Sequence, residues 1–135
     1  MINSLKTQIN IGLGSLNVFV EKAELTRDIV TFGKMNPVYK VQLWSEEILS
    51  LPCKKGGKKP NWTQNLNIKR KIAANLLKVE IWDENKYNVK DIIGMNSLSL
   101  DNYNFLQNNK FSDWVDIYYD NKKSGKVFIS FEFLK

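Results

Sequence analysis

The sequence predicts an all-β fold, an eight-stranded antiparallel β-sandwich. Three observations carry that prediction. Apolar and polar residues alternate in short runs, Gly, Pro, Asn and Asp punctuate those runs, and no stretch sustains the 3.6-residue period of a long helix. The chain has 135 residues and reads as one domain, large enough to bury a core without disulfides or metal. Residues 1–13 form a leader and 14–135 the domain.

Leu16, Val18 and Val20 alternate with Asn17, Phe19 and Glu21, which gives a first strand with one buried face. Thr26 to Pro37 is a loop, with Gly33 and Pro37 bracketing a turn. Tyr39, Val41 and Leu43 alternate with Lys40 and Gln42 in a second strand. Residues 48–53 form a third strand, ended by the Gly56-Gly57 turn, and Trp62, Leu66 and Ile68 carry a fourth. In the fifth, Leu77, Val79 and Ile81 point one way and Lys78, Glu80 and Trp82 the other. The run IIGMNSLSL after Asp91 makes a sixth, with Gly94 at a bulge or close backbone approach. Asp101 to Gln107 suits a helical turn capped by Asp101. Trp114, Asp116 and Tyr118 alternate with Val115 and Ile117 in a seventh strand, and a turn over Asn121 to Gly125 leads into the eighth, KVFISFEFLK.

Charge is more informative by position than by total. The net charge is +6, and seven of the 20 bases (Lys54, Lys55, Lys58, Lys59, Lys69, Arg70, Lys71) lie in one segment that contains no acid. The rest of the chain holds 13 bases against 14 acids. Such clustering sets up a local positive field that attracts phosphates, although lysine also serves to solvate turns and to protect strand edges. Several function classes are disfavoured. There is no histidine, nucleophile elbow, phosphate-binding glycine loop or cysteine-rich metal constellation, so an enzyme is not expected. The lone Cys53 reads as a buried apolar side chain. Nucleic acid is not expected as a partner, because the basic segment has a single aromatic, Trp62. No apolar run is long enough to span a bilayer, and the start, MINSLKTQINIG, lacks the pattern of a secretion signal. A cytoplasmic protein, peripheral at membranes, is the expectation.

Four blocks, in order, carry a resemblance: GSLNVFVEKAEL at 14–25, GKMNPVYKVQL at 33–43, GGKKPNWTQNLNI at 56–68, and IWD with DIIG across 81–94. They resemble the blocks of C2 domains, which read roughly G-x-L-x-V, G-K-x-D-P-Y-V, N-P-x-W-N-E and V-x-D-x-D followed by D-x-I-G. The resemblance covers about residues 14–134. It implies the form of the sandwich in which the last strand occupies the place that a leading strand fills in the other form.

It also implies a site on the loops at one end. Members that bind calcium place acids on the first and third of these loops. Here the matching positions are Asn36, Asp83, Asn85 and Asp91, and a further first-loop acid falls on Val30, which cannot ligate through its side chain. Calcium affinity follows ligand charge, and two carboxylates with two amides is a low count, opposed further by Lys34, Lys86 and Lys90. The expected site is therefore degenerate, with no required cofactor and weak calcium binding at most. Asp83 and Asp91 then read better as residues that tie the third loop through backbone amides.

The favoured partner is an anionic phospholipid membrane, met by Lys40, Lys54, Lys55, Lys58, Lys59, Lys69, Arg70, Lys71 and Trp82. Tyr39 stands one place later than the family's tyrosine, which turns it to the opposite face. Ile29, Val30, Phe32, Tyr87 and Val89 are candidate loop tips for insertion among headgroups, and equally for packing between loops. The alternatives are a protein-interaction scaffold that meets no lipid, and weak calcium-dependent phospholipid binding.

Overall fold

The computed structural model describes residues 14–30, 33–43, 45–69, 76–85, 90–100 and 110–134. Eight antiparallel strands follow in chain order: β1 Ser15–Leu25, β2 Pro37–Leu43, β3 Glu46–Leu49, β4 Asn65–Lys69, β5 Leu76–Glu84, β6 Lys90–Ser99, β7 Lys110–Tyr119 and β8 Lys122–Leu134. Their lateral order is β3-β2-β5-β6-β7-β8-β1-β4. The β6–β7 junction rests on one residue pair, Met95 with Tyr118, so the sandwich is built from two four-stranded layers. The last strand lies between β7 and β1, in agreement with the expected permuted form.

Alternation in sequence becomes alternation in space. Leu16, Val18 and Val20 of β1, Tyr39, Val41 and Leu43 of β2, Leu77, Val79 and Ile81 of β5, and Val127 and Ile129 of β8 are buried between the layers. Fully burying each such side chain contributes about 1.5–3 kcal/mol, which is why a one-residue slip in any of these strands is excluded. Trp62 is buried as well, but in the connection before β4 and not in the strand. Its ring meets Tyr39 edge-on at 5.3 Å and its indole N–H donates to the Pro37 carbonyl at 3.1 Å. Cys53 is half-buried against the core.

Two boundaries differ from expectation. The third strand is Glu46–Leu49 and ends before residue 50, because the chain beyond it is held by side chains: Tyr39 N–H donates to Ser50 Oγ at 2.9 Å and Leu51 N–H to Gln64 Oε1 at 2.8 Å. The last hairpin turns at Asp120 and Asn121, not across 121–125. Both residues adopt positive φ (50° and 62°), the conformation that two-residue hairpin turns require and that Asp and Asn tolerate. Gly125 instead lies inside β8 at φ 154°, where a Cβ would sit 2.6 Å from the Glu24 carbonyl oxygen. Gly94 is a close approach, as expected, since a Cβ there would collide with Ser124 Oγ and stand 3.0 Å from Ile117. The bulge falls beside it, opposite the Ile81–Trp82 step. The turn expected over Asp101 to Gln107 lies outside the described residues.

Candidate functional site

Three connections meet at one end of the sandwich: residues 26–36 after β1, residues 50–64 before β4, and the link from β5 to β6. Asn36 joins all three. Its backbone N–H donates to Asp83 Oδ1 at 2.7 Å, its carbonyl accepts from Glu84 N–H at 3.1 Å, and its side-chain Nδ2 donates to the Glu84 carbonyl at 3.2 Å. Its Oδ1 accepts from Lys55 N–H at 2.8 Å. Asp83, only 3% exposed, is therefore a buried tie for the first connection. Asp91 pairs across the β5–β6 ladder with Asp83 and is exposed, and Asn85 is half-buried. The four positions expected to form a degenerate metal site do lie at one end, yet the amide oxygen of Asn36 and one oxygen of Asp83 already serve backbone N–H groups. Asp28 makes a local turn, accepting from Val30 N–H at 3.0 Å.

The second connection is held on both sides. Cys53 N–H donates to the Pro37 carbonyl at 2.8 Å and Gly57 N–H to the Met35 carbonyl at 3.0 Å. Along β1, Leu25 N–H donates to the Lys58 carbonyl at 2.7 Å and Ala23 N–H to the Pro60 carbonyl at 3.1 Å. Within the loop, Gly56 N–H returns to the Cys53 carbonyl at 3.1 Å. These bonds fix a loop that sequence alone would leave as a lysine-rich turn. Lys54, Lys55, Lys58 and Lys59 project from it, all exposed, and the stem of exposed Lys34 passes over Gly57. Lys55 takes a left-handed φ of 57°, a conformation that costs an ordinary residue roughly 1–2 kcal/mol.

Among the described residues, none of these five lysines has a carboxylate within the 4.0 Å of an ion pair. Most of the other described lysines are engaged. Lys40 pairs with Glu47 at 3.2 Å and Lys78 with Glu80 at 3.4 Å, while Lys123 pairs with Asp116 and Lys126 with Glu24. Lys22 and Lys126 also lie over the Trp114 ring.

The five described members of the basic cluster, Lys54, Lys55, Lys58, Lys59 and Lys69, do not converge. Lys69 stands opposite Ser15 at the start of β1, whereas Lys58 is bonded to Leu25 at its end. Ten residues of strand separate them, about 33 Å at roughly 3.3 Å per residue. Lys40 and Trp82 do share one outer face, but that face carries Glu80, 5% exposed, whose Oε2 accepts from the Trp82 indole N–H at 3.0 Å. Sequence reasoning placed Glu80 on the same face as Trp82 but did not set it against Lys40. Its signal was present in the register, because Glu80 is the direct cross-strand partner of Lys40. Tyr39 is fully buried, on the face opposite to Lys40, as its displaced position implied. Burial pushes its phenol up from 10.0 to about 12. Ile29 and Val30 are half-buried against the core. Phe32, Arg70, Lys71, Lys86, Tyr87 and Val89 lie outside the described residues, as does the side chain of Lys90.

Sequence and structure comparisons bear on this geometry. The family model for the C2 domain matches residues 14–117, more than three-quarters of the chain. The chain belongs to the C2 domain family. Solved C2 domains share its fold. A C2 domain of a plant extended synaptotagmin 1 superposes with a TM-score of 0.76 over 90% of this chain and 94% of its own, at 17% identity. A C2 domain-containing protein from a putative elicitor-responsive gene gives 0.72 over 90% and 89%, also at 17% identity. A two-C2-domain portion of extended synaptotagmin 2 gives 0.72 over 90% of this chain at 19% identity, with 41% of that longer chain covered. Among curated proteins, none matches the sequence. C2 domains are commonly binding modules for membranes and lipids. Among the described residues of this one, no helix is long and apolar enough to cross a membrane.

Proposed function

We propose that this C2 domain is a non-enzymatic membrane-targeting module that binds anionic phospholipid headgroups through its second end loop, without needing calcium. One observation carries the reading: Lys54, Lys55, Lys58 and Lys59 gather on a loop tied down by backbone hydrogen bonds, with Lys34 of the first connection passing over it, and no carboxylate lies within ion-pair distance of them among the described residues. Cations held this way keep their charge for an external partner, whereas Lys40 and Lys78 already face Glu47 and Glu80. The outer face with Lys40 and Trp82 is then a secondary contact, and Lys69 belongs to the other end of the sandwich. The left-handed Lys55, held where glycine or asparagine is easier, supports a loop shaped for its charge.

Calcium independence is supported by the bonding of Asn36 and Asp83. Each uses an oxygen to fix a neighbouring loop, and the carboxylates left at the matching positions are two. A cation site of such low charge is weak.

The test is co-sedimentation with phosphatidylcholine vesicles, with and without phosphatidylserine or phosphoinositide, in chelator and in calcium. Each lysine near an anionic surface adds about 1 kcal/mol, or about fivefold in affinity. Converting Lys54, Lys55, Lys58 and Lys59 to Gln should therefore weaken binding by at least about a hundredfold, and wild-type binding should persist in chelator and fall with salt. Binding that requires calcium would overturn the calcium-independent reading. Absence of binding to every vesicle would overturn the lipid reading and favour a protein partner.

A further inference from the structure

Among the described residues, the exposed apolar surface next to the basic loop is not on the first connection. Ile29 and Val30, candidates for insertion by sequence, are half-buried against the core. Among the described residues, the large apolar side chains left most open are Leu49 (50% exposed) and Leu51 (69%), with Leu76, Tyr118 and Tyr119. Leu76 begins β5 at the far end of the sandwich, opposite Ser99. Tyr118 and Tyr119 lie on β7, on the other side of β2, β5 and β6, and the Arg27 guanidinium stacks on the Tyr119 ring at 3.6 Å.

Leu49 and Leu51 differ from these in three ways. First, they point the same way. Ser50 between them is buried, its N–H donating to the Tyr39 carbonyl at 2.9 Å, so the two-residue period of an extended chain turns both leucines outward, about 7 Å apart. Second, they occupy β3 and its continuation, the edge of the sheet, where lysine is the usual protection against association and exposed leucine is a liability. Third, they adjoin the unpaired cations. Lys54 follows Leu51 by three residues, at most about 11 Å of chain. The acid closest in sequence on that face, Glu47, is held by Lys40 at 3.2 Å. An apolar pair beside free lysines and a neutralised acid has the charge pattern of a surface that meets an anionic bilayer, with lysines at the phosphates and leucines below them.

We propose that Leu49 and Leu51 form an apolar anchor that inserts into the headgroup region of an anionic bilayer, so that the domain docks tilted onto its β3 edge and not upright on the first and third end loops. The inference rests on the lipid reading of the basic loop and assigns the orientation in which that loop works.

The experiment compares Leu49→Ser/Leu51→Ser with the four-lysine Gln variant on phosphatidylcholine and phosphatidylcholine–phosphatidylserine vesicles in chelator. Both leucines are exposed, so thermal unfolding of the leucine variant should match wild type. Its affinity for anionic vesicles should fall roughly tenfold or more, from lost apolar burial, while its salt dependence stays that of wild type. An environment-sensitive probe attached through Leu51→Cys in a Cys53→Ser background should shift to the blue on binding and be quenched by brominated lipid. The same probe attached through Ser130→Cys, on the outer face of β8, should do neither. Unchanged affinity of the leucine variant, or a probe at 51 that stays in water, would overturn the anchor while leaving the lipid reading intact. A four-lysine variant that binds like wild type would instead remove the lipid reading itself. A wild-type dimer that the leucine substitutions convert to monomer, by sedimentation velocity, would reassign the patch to self-association and also overturn the anchor.

Discussion

Replacing Asn36 tests whether the end-loop site is built as a tie or as a cation cage. Asn36→Ala removes two side-chain bonds, to Lys55 N–H at 2.8 Å and to the Glu84 carbonyl at 3.2 Å. A hydrogen bond contributes about 0.5–1.5 kcal/mol net, so the expected loss is about 1–3 kcal/mol. Asn36→Asp restores the acid that calcium-binding relatives are expected to carry. It keeps an acceptor for Lys55 N–H but turns the donor facing the Glu84 carbonyl into a second acceptor, close to Asp83. In chelator, a loss of about 1–3 kcal/mol is expected again, now from acceptor facing acceptor and from added negative charge. In calcium the two variants should part. The Asp variant has three carboxylates at the site, and a ligand at a hundred times its dissociation constant stabilises by about 2.7 kcal/mol. Its urea midpoint should therefore rise with calcium, while those of wild type and Asn36→Ala stay fixed. Tryptophan fluorescence follows the transition, with an unchanged m-value showing that stability alone has moved. If Asn36→Ala unfolds at the wild-type midpoint, the amide does not hold the loops. If the wild-type midpoint itself rises in micromolar calcium, the site is a working cation site and the calcium-independent reading fails.

Two further predictions concern the core. Gly94→Ala would place a methyl group in collision with Ser124 Oγ and 3.0 Å from Ile117, and should cost about 1–3 kcal/mol. Ser124→Ala removes a buried hydroxyl with no hydrogen-bond partner among the described residues, so alone it should be neutral or stabilising. Together they should recover at least about 0.5 kcal/mol relative to the sum, as measured by urea unfolding, and strict additivity would refute the contact. Tyr39 is held neutral by burial, with its phenol pushed up to about 12, while in the unfolded chain it ionises near 10.0. The unfolded state releases its proton first, so the contribution of Tyr39 is fully present below pH 10 and is lost as pH rises from about 10 toward 12. Tyr39→Phe should lose less stability than wild type across that window. Parallel curves for the two proteins would contradict the burial argument.

Much of the fold was legible because a half-buried strand writes its orientation into every second residue. Leu16, Val18 and Val20, and Leu77, Val79 and Ile81, needed no partner to declare their face. What stayed hidden was fixed between strands. Trp62 has the look of a strand residue, yet it is held by the Pro37 carbonyl and the Tyr39 ring, and both lie 23 or more positions away in the chain. The third strand stops early for the same reason, since Ser50 and Gln64 replace ladder bonds with side-chain bonds that no local pattern announces. The last turn was placed too late because Gly125 reads as its end, whereas the missing Cβ of Gly125 lets Glu24 and Leu25 come close.

The site divides along the same line. A cation is free or neutralised according to what lies within about 4 Å, and for a strand residue that is decided by register. Lys40 reads as part of a basic surface until Glu80 is set directly across from it and Glu47 reaches it from β3. Lys54, Lys55, Lys58 and Lys59 are different, because their segment contains no acid at all and a loop tied back on itself brings its own residues together first. Local sequence therefore determines their freedom, while long-range pairing determines that of Lys40 and Lys78. The same reasoning separates the apolar candidates. Ile29 and Val30 lie in a connection without period, and packing decided for them. Leu49 and Leu51 sit on an edge whose period leaves them no core to enter, beside lysines that nothing among the described residues neutralises. An unsheltered apolar pair is unfavourable in water and clustered like charges repel one another, and an anionic bilayer is a partner that relieves both at once.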